Sequence, residues 1–248
     1  MNTTIYSLQL GQFFNELNFQ YKIYQCYKRQ TDRFLATDFN SFNYISPDEN
    51  KLSKIIADLL SPQGNHGQDM LFLQLFIAMQ IDILRPDATQ SAQTTNLQLL
   101  QTIKHTLANP QVKIKVSTEP KTSYIQNNLR RMDILIEINQ YGVMIENKPW
   151  AQDQNNQLFD YIAHLRICFP KGFIAVYLSG DGASPDQSSL PNELKEDLMK
   201  SGQYVEMNYS HFLKVWLQAC QQRAEADKVR MFLGDFIDYI DETFYITQ

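Results

Sequence analysis

The sequence predicts an α/β fold in which helices cover a mixed central sheet. Three observations support this fold class. Apolar residues recur at helical spacing up to about Ala108, the pattern changes to strand-like alternation after Asn109-Pro110, and helical and strand segments then interchange towards the C-terminus. The predicted order is several helices, three strands in a meander, a helix, and one or two further strands.

Four helices are predicted before the first strand. The spacing of apolar residues over about 5–33 predicts one long or two shorter amphipathic helices. The next helix has Ser46 as its N-cap, and Glu49, three residues on, completes a capping box. It ends at Ser61-Pro62, and two more helices are predicted at about 69–84 and 96–108.

The strands are recognised by alternation. Val112, Ile114 and Val116 point one way and the intervening lysines the other. Two strands, 131–138 and 141–148, follow and are joined by a short turn that contains Asn139, Gln140 and Gly142. The remaining elements are predicted as a helix at about 152–169, a strand within 171–179, a loop at 180–190, a short helix at 191–200, a strand near 204–207, and helices at 209–223 and 227–244.

The bulk properties indicate one compact domain. The chain has 248 residues, of which 44% are hydrophobic and 20% charged, and this length is enough for one large core. A formal net charge of −5 has the wrong sign for tight binding to nucleic acid through the overall field, so any such contact must be local.

Cysteine usage and hydropathy indicate the compartment. Cys26, Cys168 and Cys220 are far apart and odd in number, which argues against a disulfide framework and a zinc site. We recognise no signal peptide, and no stretch approaches the roughly 20 apolar residues that span a bilayer. The sequence therefore predicts a cytoplasmic protein without a membrane partner.

The hairpin in the middle of the chain carries the most informative pattern. Glu146 and Lys148 share one face of their strand because side chains alternate. A turn centred between Gln140 and Tyr141 would place position 133 opposite 148 and position 135 opposite 146, which adds Asp133 to that face. The other face is then rich in isoleucine, so the register that buries the isoleucines also collects the charges.

Two carboxylates this close repel each other, and placing both in a half-buried site is costly unless a cation lies between them. Oxygen ligands of this kind favour Mg²⁺ or Mn²⁺ over zinc. Lys148 would add a positive charge beside an attacking water or a phosphate. The alternative is that Asp133, Glu146 and Lys148 form a plain cross-strand ion pair on an exposed face, which contributes roughly 0.2–1 kcal/mol.

Residues outside the hairpin favour the metal site. Gln157 and Tyr161 are four residues apart and so share one face of the following helix. Glu49 supplies a further carboxylate, and Lys121, Arg130 and Arg131 belong to a group of basic residues around the hairpin.

The order of the polar motifs is Glu49 on a helix, Arg131-x-Asp133 on a strand, Glu146-x-Lys148 on the next strand and Gln157-x-x-x-Tyr161 on a helix. This order resembles the PD-(D/E)XK nuclease superfamily. The motif order is most similar to that of the branches with a RecB-like Q-x-x-x-Y helix and to that of a family of bacterial PD-(D/E)XK proteins. The resemblance covers about 46–180. It implies a restriction-endonuclease-like α-β-β-β-α-β core at about 46–208 in a single domain spanning 1–248, with helical additions at 1–40 and 209–245.

The resemblance also implies roles for individual residues. Asp133, Glu146 and the main-chain carbonyl of Asn147 would bind Mg²⁺ or Mn²⁺, and Lys148 would position the attacking water. Glu49 would complete the site or hold a second cation. The other implied site residues are Gln157 and Tyr161 beside Lys148, and Arg131, Arg130, Lys121 and His66 as contacts to nucleic acid.

The expected function is metal-dependent hydrolysis of phosphodiester bonds in DNA, and the sequence leaves a homodimer open. An alternative is an inactive module of the same fold that binds nucleic acid or a protein. The acidic net charge and Met132, which stands where the superfamily motif has proline, leave this alternative open, but the intact set of Asp133, Glu146 and Lys148 argues against it. A nucleotide-binding enzyme is disfavoured because no G-x-x-x-x-G-K-[ST] loop is present.

Overall fold

The computed structural model describes residues 2–36, 38–84, 91–122, 129–150 and 153–244. The chain divides into two compact units, Met1–Asn40 and Ser41–Gln248. The elements before the sheet are α1 (Asn2–Leu35), α2 (Ser41–Ile45), α3 (Glu49–Leu60), α4 (Leu71–Leu84) and α5 (Ser91–Leu107). They are followed by β1 (Ile114–Thr118), β2 (Ile134–Ile138), β3 (Tyr141–Lys148), α6 (Gln157–Cys168), β4 (Phe173–Ser179), α7 (Asn192–Ser201) and β5 (Tyr204–Asn208). A π-helical turn (Tyr209–Leu213), α8 (Lys214–Arg223) and α9 (Asp227–Thr243) end the described chain.

The second unit is built around a five-stranded mixed sheet. Its strands lie in the order β1-β2-β3-β4-β5. The first three strands are antiparallel neighbours, whereas β3, β4 and β5 run parallel. This architecture confirms the predicted α/β class and the mixed central sheet.

The hairpin has a register that differs from the predicted one by two residues. Ile134 lies opposite Ile145 and Ile138 opposite Tyr141, so the turn consists of Asn139 and Gln140. Asn139 takes a φ of 52°, a left-handed conformation that asparagine tolerates better than most residues and that favours a two-residue turn. The predicted pairings of 133 with 148 and of 135 with 146 were wrong, but a shift by two leaves every side chain on its predicted face.

The sheet buries a different set of side chains on each face. One face carries Ile134, Ile136 and Ile145, which pack in a core with residues of α3, α4, α5, α8 and α9. The other carries Leu135 and Met144, which pack against α6 and α7. The isoleucine face of the hairpin is therefore buried as predicted, and the side chains of Glu146 and Lys148 belong to the α6 face.

The start of α3 departs from the prediction. Asp48, not Ser46, is the N-cap, and its carboxylate accepts a hydrogen bond of 2.8 Å from the main-chain N–H of Lys51. Ser46 has a φ of 43° and lies before the helix. Aspartate is as good an N-cap as serine, and its position two residues later makes Glu49 the first residue of the helix rather than the third.

The first unit consists mainly of α1, a helix of 34 residues. The prediction of one long or two shorter helices resolves to one. Most of its described side chains are exposed, including the aromatic residues Phe13, Tyr21 and Tyr27. In the described ranges, none of the helices has both the length and the apolar character needed to cross a bilayer.

Candidate active site

The candidate site lies where β2 begins and β3 ends. Because Ile134 pairs with Ile145, the antiparallel register continued by one residue brings Asp133 beside Glu146. The main-chain N–H of Asn147 donates a hydrogen bond of 2.7 Å to Oδ2 of Asp133, which fixes that carboxylate against β3. The hairpin thus joins the two carboxylates that the sequence singles out.

Glu146 is fully buried. Its Oε1 accepts a hydrogen bond of 2.7 Å from Nε2 of Gln157 and lies 3.0 Å from Nζ of Lys148. Its Oε2 is also buried but has no hydrogen-bond partner in the described part of the chain. A buried carboxylate oxygen without a partner is costly, and a cation bound at this atom would offset the cost.

Lys148 lies between the carboxylates of two different elements. Its Nζ is 3.0 Å from Oε1 of Glu146 on β3 and 3.2 Å from Oε1 of Glu49 in the first turn of α3. Only 7% of the lysine side chain is exposed, so the ammonium group is held within the cluster rather than extended into solvent. The N-cap at Asp48 therefore contributes to the site, because it makes Glu49 the first residue of α3, from which its carboxylate reaches Lys148.

Helix α6 positions the two residues of the Q-x-x-x-Y pattern behind Glu146. Nε2 of Gln157 also contacts the hydroxyl of Tyr161 at 3.2 Å, and Oε1 of Gln157 accepts from the main-chain N–H of Gln154 at 3.1 Å. The Tyr161 hydroxyl donates to the carbonyl of Arg131. The glutamine thus orients Glu146, while the tyrosine ties α6 to the segment before β2.

Both carboxylates hold a proton more tightly than usual. Burial raises the pKa of Asp133 to about 6, although the Asn147 N–H and Lys148 oppose the shift. Burial and the nearby charge of Asp133 raise the pKa of Glu146 well above its ordinary range. Burial lowers the pKa of Lys148, but the surrounding carboxylates, Glu146 foremost, outweigh it and leave that pKa raised. A divalent cation bound between the two carboxylates would favour their ionised forms and so oppose both shifts.

The donor set fits a hard divalent cation. Among the described residues, no group of three or more His, Cys, Asp or Glu side chains is arranged to hold a metal ion. Asp133 and Glu146 would therefore provide two carboxylates, and main-chain oxygen, water or phosphate would complete the shell, as is common for Mg²⁺. The unpartnered Oε2 of Glu146 is the atom that such an ion would satisfy.

A buried polar network behind the site was not predicted. The side chain of Asn147 donates to Oγ of Ser53 at 3.0 Å and accepts from the hydroxyl of Tyr209 at 2.7 Å. It also contacts the main-chain carbonyl of Glu49 at 3.4 Å. Asn147 therefore connects β3 to α3 and to the π-helical turn. Its position at the end of an otherwise apolar face was the sequence signal that such partners exist, but nothing identified Tyr209.

The basic residues around the hairpin have different surroundings. Arg131 is exposed over 63% of its side chain and forms a surface ion pair with Glu119 at 3.6 Å, and Lys121, its neighbour across an isolated β-bridge, is also exposed. Arg130 is largely buried, and its guanidinium forms an ion pair with Asp160 on α6 and a hydrogen bond to Gln154.

His66 is also engaged within the chain. It is buried, stacks on Phe72 with ring centroids 4.7 Å apart, and its Nε2 lies 3.0 Å from the carbonyl of Ser61. Its Nδ1 accepts from the main-chain N–H of Gln68 at 3.0 Å. With both ring nitrogens satisfied, His66 stabilises the loop after α3 and has no nitrogen left for a phosphate.

The mixed sheet, the flanking helices and the charged cluster at the end of the central hairpin define a restriction-endonuclease-like α/β protein. A comparison with family models gives the same result, since the model of the PD-(D/E)XK nuclease superfamily matches residues 39–238. The chain belongs to this superfamily. No curated protein and no solved structure gives a significant match.

Proposed function

We propose that this chain is a divalent-metal-dependent nuclease that hydrolyses phosphodiester bonds in DNA. The observation that carries the proposal is the pair of carboxylates at Asp133 and Glu146, one of them fully buried with an unpartnered oxygen, next to a buried lysine. Such a pair is stabilised by a cation, and a cation held there can act on a phosphodiester. Membership of a nuclease superfamily supports the same conclusion.

Each residue of the site has a task in this proposal. Asp133, Glu146 and the main-chain carbonyl of Asn147 would hold Mg²⁺ or Mn²⁺, which supplies Lewis-acid polarisation of the phosphate when bound. Lys148 keeps its proton because its pKa is raised, so it orients a water molecule or offsets negative charge on the phosphate rather than acting as a base.

The remaining polar residues of the site position these groups. Glu49 holds Lys148 from the side of α3 and offers a carboxylate for a second cation. Gln157 fixes the orientation of Glu146 through a hydrogen bond to its carboxylate, and Tyr161 holds α6 against the segment before β2 through a hydrogen bond to the carbonyl of Arg131.

Contacts to nucleic acid are proposed for the exposed cations. Arg131 and Lys121 lie on paired segments next to the start of β2 and can reach phosphates without reading base sequence. This local charge is compatible with the net charge of −5 because only the surface around the site has to be attractive. We also propose that the chain acts in the cytoplasm.

A second candidate is an inactive module of the same fold that binds nucleic acid or a protein. It draws on the acidic chain and on Met132 in place of the motif proline. An inactive module does not explain why two carboxylates and a lysine are buried together, because burying charged groups costs stability.

The test is to incubate plasmid DNA, single-stranded DNA and RNA with the protein and Mg²⁺ or Mn²⁺. We expect cleavage of DNA that chelation abolishes, and loss of this activity in Asp133→Ala and Lys148→Ala. Lys115→Ala is the matched control, because Lys115 is an exposed lysine of β1 paired with Glu137. No cleavage of any substrate with either metal would favour the binding module, and cleavage of RNA alone would overturn the DNA assignment.

A further inference from the structure

Helix α1 exposes an unusual amount of apolar surface. Eleven of its large hydrophobic side chains are between 51% and 75% exposed, and seven of these form one stripe along the helix, namely Tyr6, Leu10, Phe13, Leu17, Tyr24, Tyr27 and Phe34. A helix in water gains little from its own hydrogen bonds, and most helical stability in proteins comes from packing of an apolar face. Apolar patches of this size on a protein surface generally mark an interaction site.

These side chains follow a heptad repeat. Along positions 6, 10, 13, 17, 20, 24, 27, 31 and 34 the spacing alternates between four and three, and only Gln20 and Thr31 interrupt the apolar series. Phe14, Tyr21 and Ile23 lie beside this stripe and widen it, and Phe19 is the one further exposed aromatic residue of the described α1 side chains, on the outer face. A repeat of 3.5 residues drifts around a straight helix by about 20° per heptad, so it stays in contact only with a partner that supercoils with it. That partner is another long helix rather than a flat surface.

The charges of α1 suit a partner identical to itself. Lys22, Arg29, Asp32 and Arg33 all fall on positions that face away from the stripe. Between residues 7 and 30, the positions that flank the stripe carry only Glu16 and Lys28 as charged residues. Two copies of the helix can therefore approach each other without bringing several like charges together.

The available area is that of a stable dimer. A fully buried Phe or Tyr contributes about 150–250 Å², so the apolar side chains of the stripe and its flank, each a little over half exposed, offer roughly 700–900 Å² per helix. A pair of helices would bury roughly 1,400–1,800 Å², within the standard range for specific protein interfaces. The 34 residues give a seam about 50 Å long.

We propose that α1 is a dimerisation helix that pairs with α1 of a second copy of this chain in a two-stranded coiled coil. This defines a surface for the homodimer that the sequence left open, and it does not depend on the nuclease assignment. Leu10, Leu17 and Tyr24 are in the a positions of the seam, and Tyr6, Phe13, Tyr27 and Phe34 in the d positions.

The experiment is sedimentation equilibrium of the full chain over a range of low micromolar concentrations. We expect wild type to have twice the chain mass of 28.9 kDa. Leu17→Asp with Tyr24→Asp places two charges in the seam and should weaken dimerisation by at least ~100-fold, the loss typical of two disrupted interface anchors. Gln12→Asp with Asn15→Asp adds the same charge on the outer face and should leave the dimer intact.

A second, milder variant separates loss of pairing from loss of folding. Leu17→Ala with Tyr27→Ala keeps helix propensity and introduces no charge, so it should raise the dimer dissociation constant while circular dichroism shows the folded unit unchanged. A monomeric wild type would overturn the proposal, and protection of α1 from hydrogen exchange in that monomer would show that it packs on its own chain. A seam variant as dimeric as the outer-face control would overturn it too.

Discussion

Replacing Asp133 with asparagine should stabilise the metal-free protein and at the same time abolish its response to metal. Asparagine keeps the shape of the side chain and an oxygen for the Asn147 N–H, but it removes the charge that burial opposes. A residue retained for metal binding is expected to cost stability in the absence of the metal.

The size of this effect follows from the pKa of Asp133. A folded-state pKa of about 6, against an ordinary value of 3.8, corresponds to about 3 kcal/mol once the carboxyl is ionised. Because the folded pKa is raised, wild type has no such penalty below about pH 4 and loses stability as the pH rises through about 6. The stabilisation by asparagine should therefore be absent at low pH and complete above about pH 7, where it reaches about 3 kcal/mol, since the folded-state pKa already includes the attraction of Asp133 to Lys148.

Urea unfolding with chelator at pH 4 and pH 7.5, and with saturating Mg²⁺ at pH 7.5, measures these differences. Metal should stabilise wild type by about 2.7 kcal/mol at a concentration 100 times its dissociation constant, and should leave Asp133→Asn unchanged. Thr118→Ser, a neutral change at the end of β1, is a control that should show no such pH dependence. Equal effects of asparagine at both pH values, or destabilisation at pH 7.5, would refute the reasoning.

Three further predictions concern the neighbours of the two carboxylates. Lys148→Met keeps the volume of the lysine stem and should lower the DNA cleavage rate at least ~100-fold with metal binding retained, as measured by calorimetry; an unchanged rate would remove the lysine from the chemistry. Tyr209→Phe removes the hydroxyl that donates to Oδ1 of Asn147 and leaves this buried acceptor without that partner. It should lower the free energy of unfolding in urea by about 1–3 kcal/mol. An unchanged free energy of unfolding would show that this hydrogen bond does not stabilise the fold. Arg131→Ala should weaken DNA binding uniformly across sequences and lower the salt slope by about 1, while Arg130→Ala should lower the unfolding free energy instead; the reverse pattern would contradict the assignment of the two arginines.

The fold and the faces of the hairpin were predictable because they depend on local patterns. Ile134 and Ile136 on β2 and Ile145 on β3 fall on one face of the hairpin, and burying them settles which side chains meet on the other face. The register itself was not predictable to within two residues, because it depends on the conformation of Asn139 in the turn. An even shift preserved the faces, so the predicted grouping of charges did not depend on the exact pairing.

The parts of the site that escaped prediction are contacts over long sequence separations. Tyr209 reaches Asn147 across 62 residues, and Ser53 reaches it across 94. Arg130 and Arg131 are adjacent in the sequence but have different surroundings, because Arg130 pairs with the largely buried Asp160 whereas Arg131 pairs with Glu119 at the surface and stays exposed. Such outcomes require the tertiary arrangement, which no local pattern contains.

The most direct test of the metal-dependent nuclease site is the rate of DNA cleavage as a function of Mn²⁺ concentration, for wild type and for Asp133→Asn side by side. We predict a rate that rises with metal and saturates for wild type, and no response above background for the variant. Cleavage by wild type in the presence of chelator, or the same metal dependence in both proteins, would contradict it.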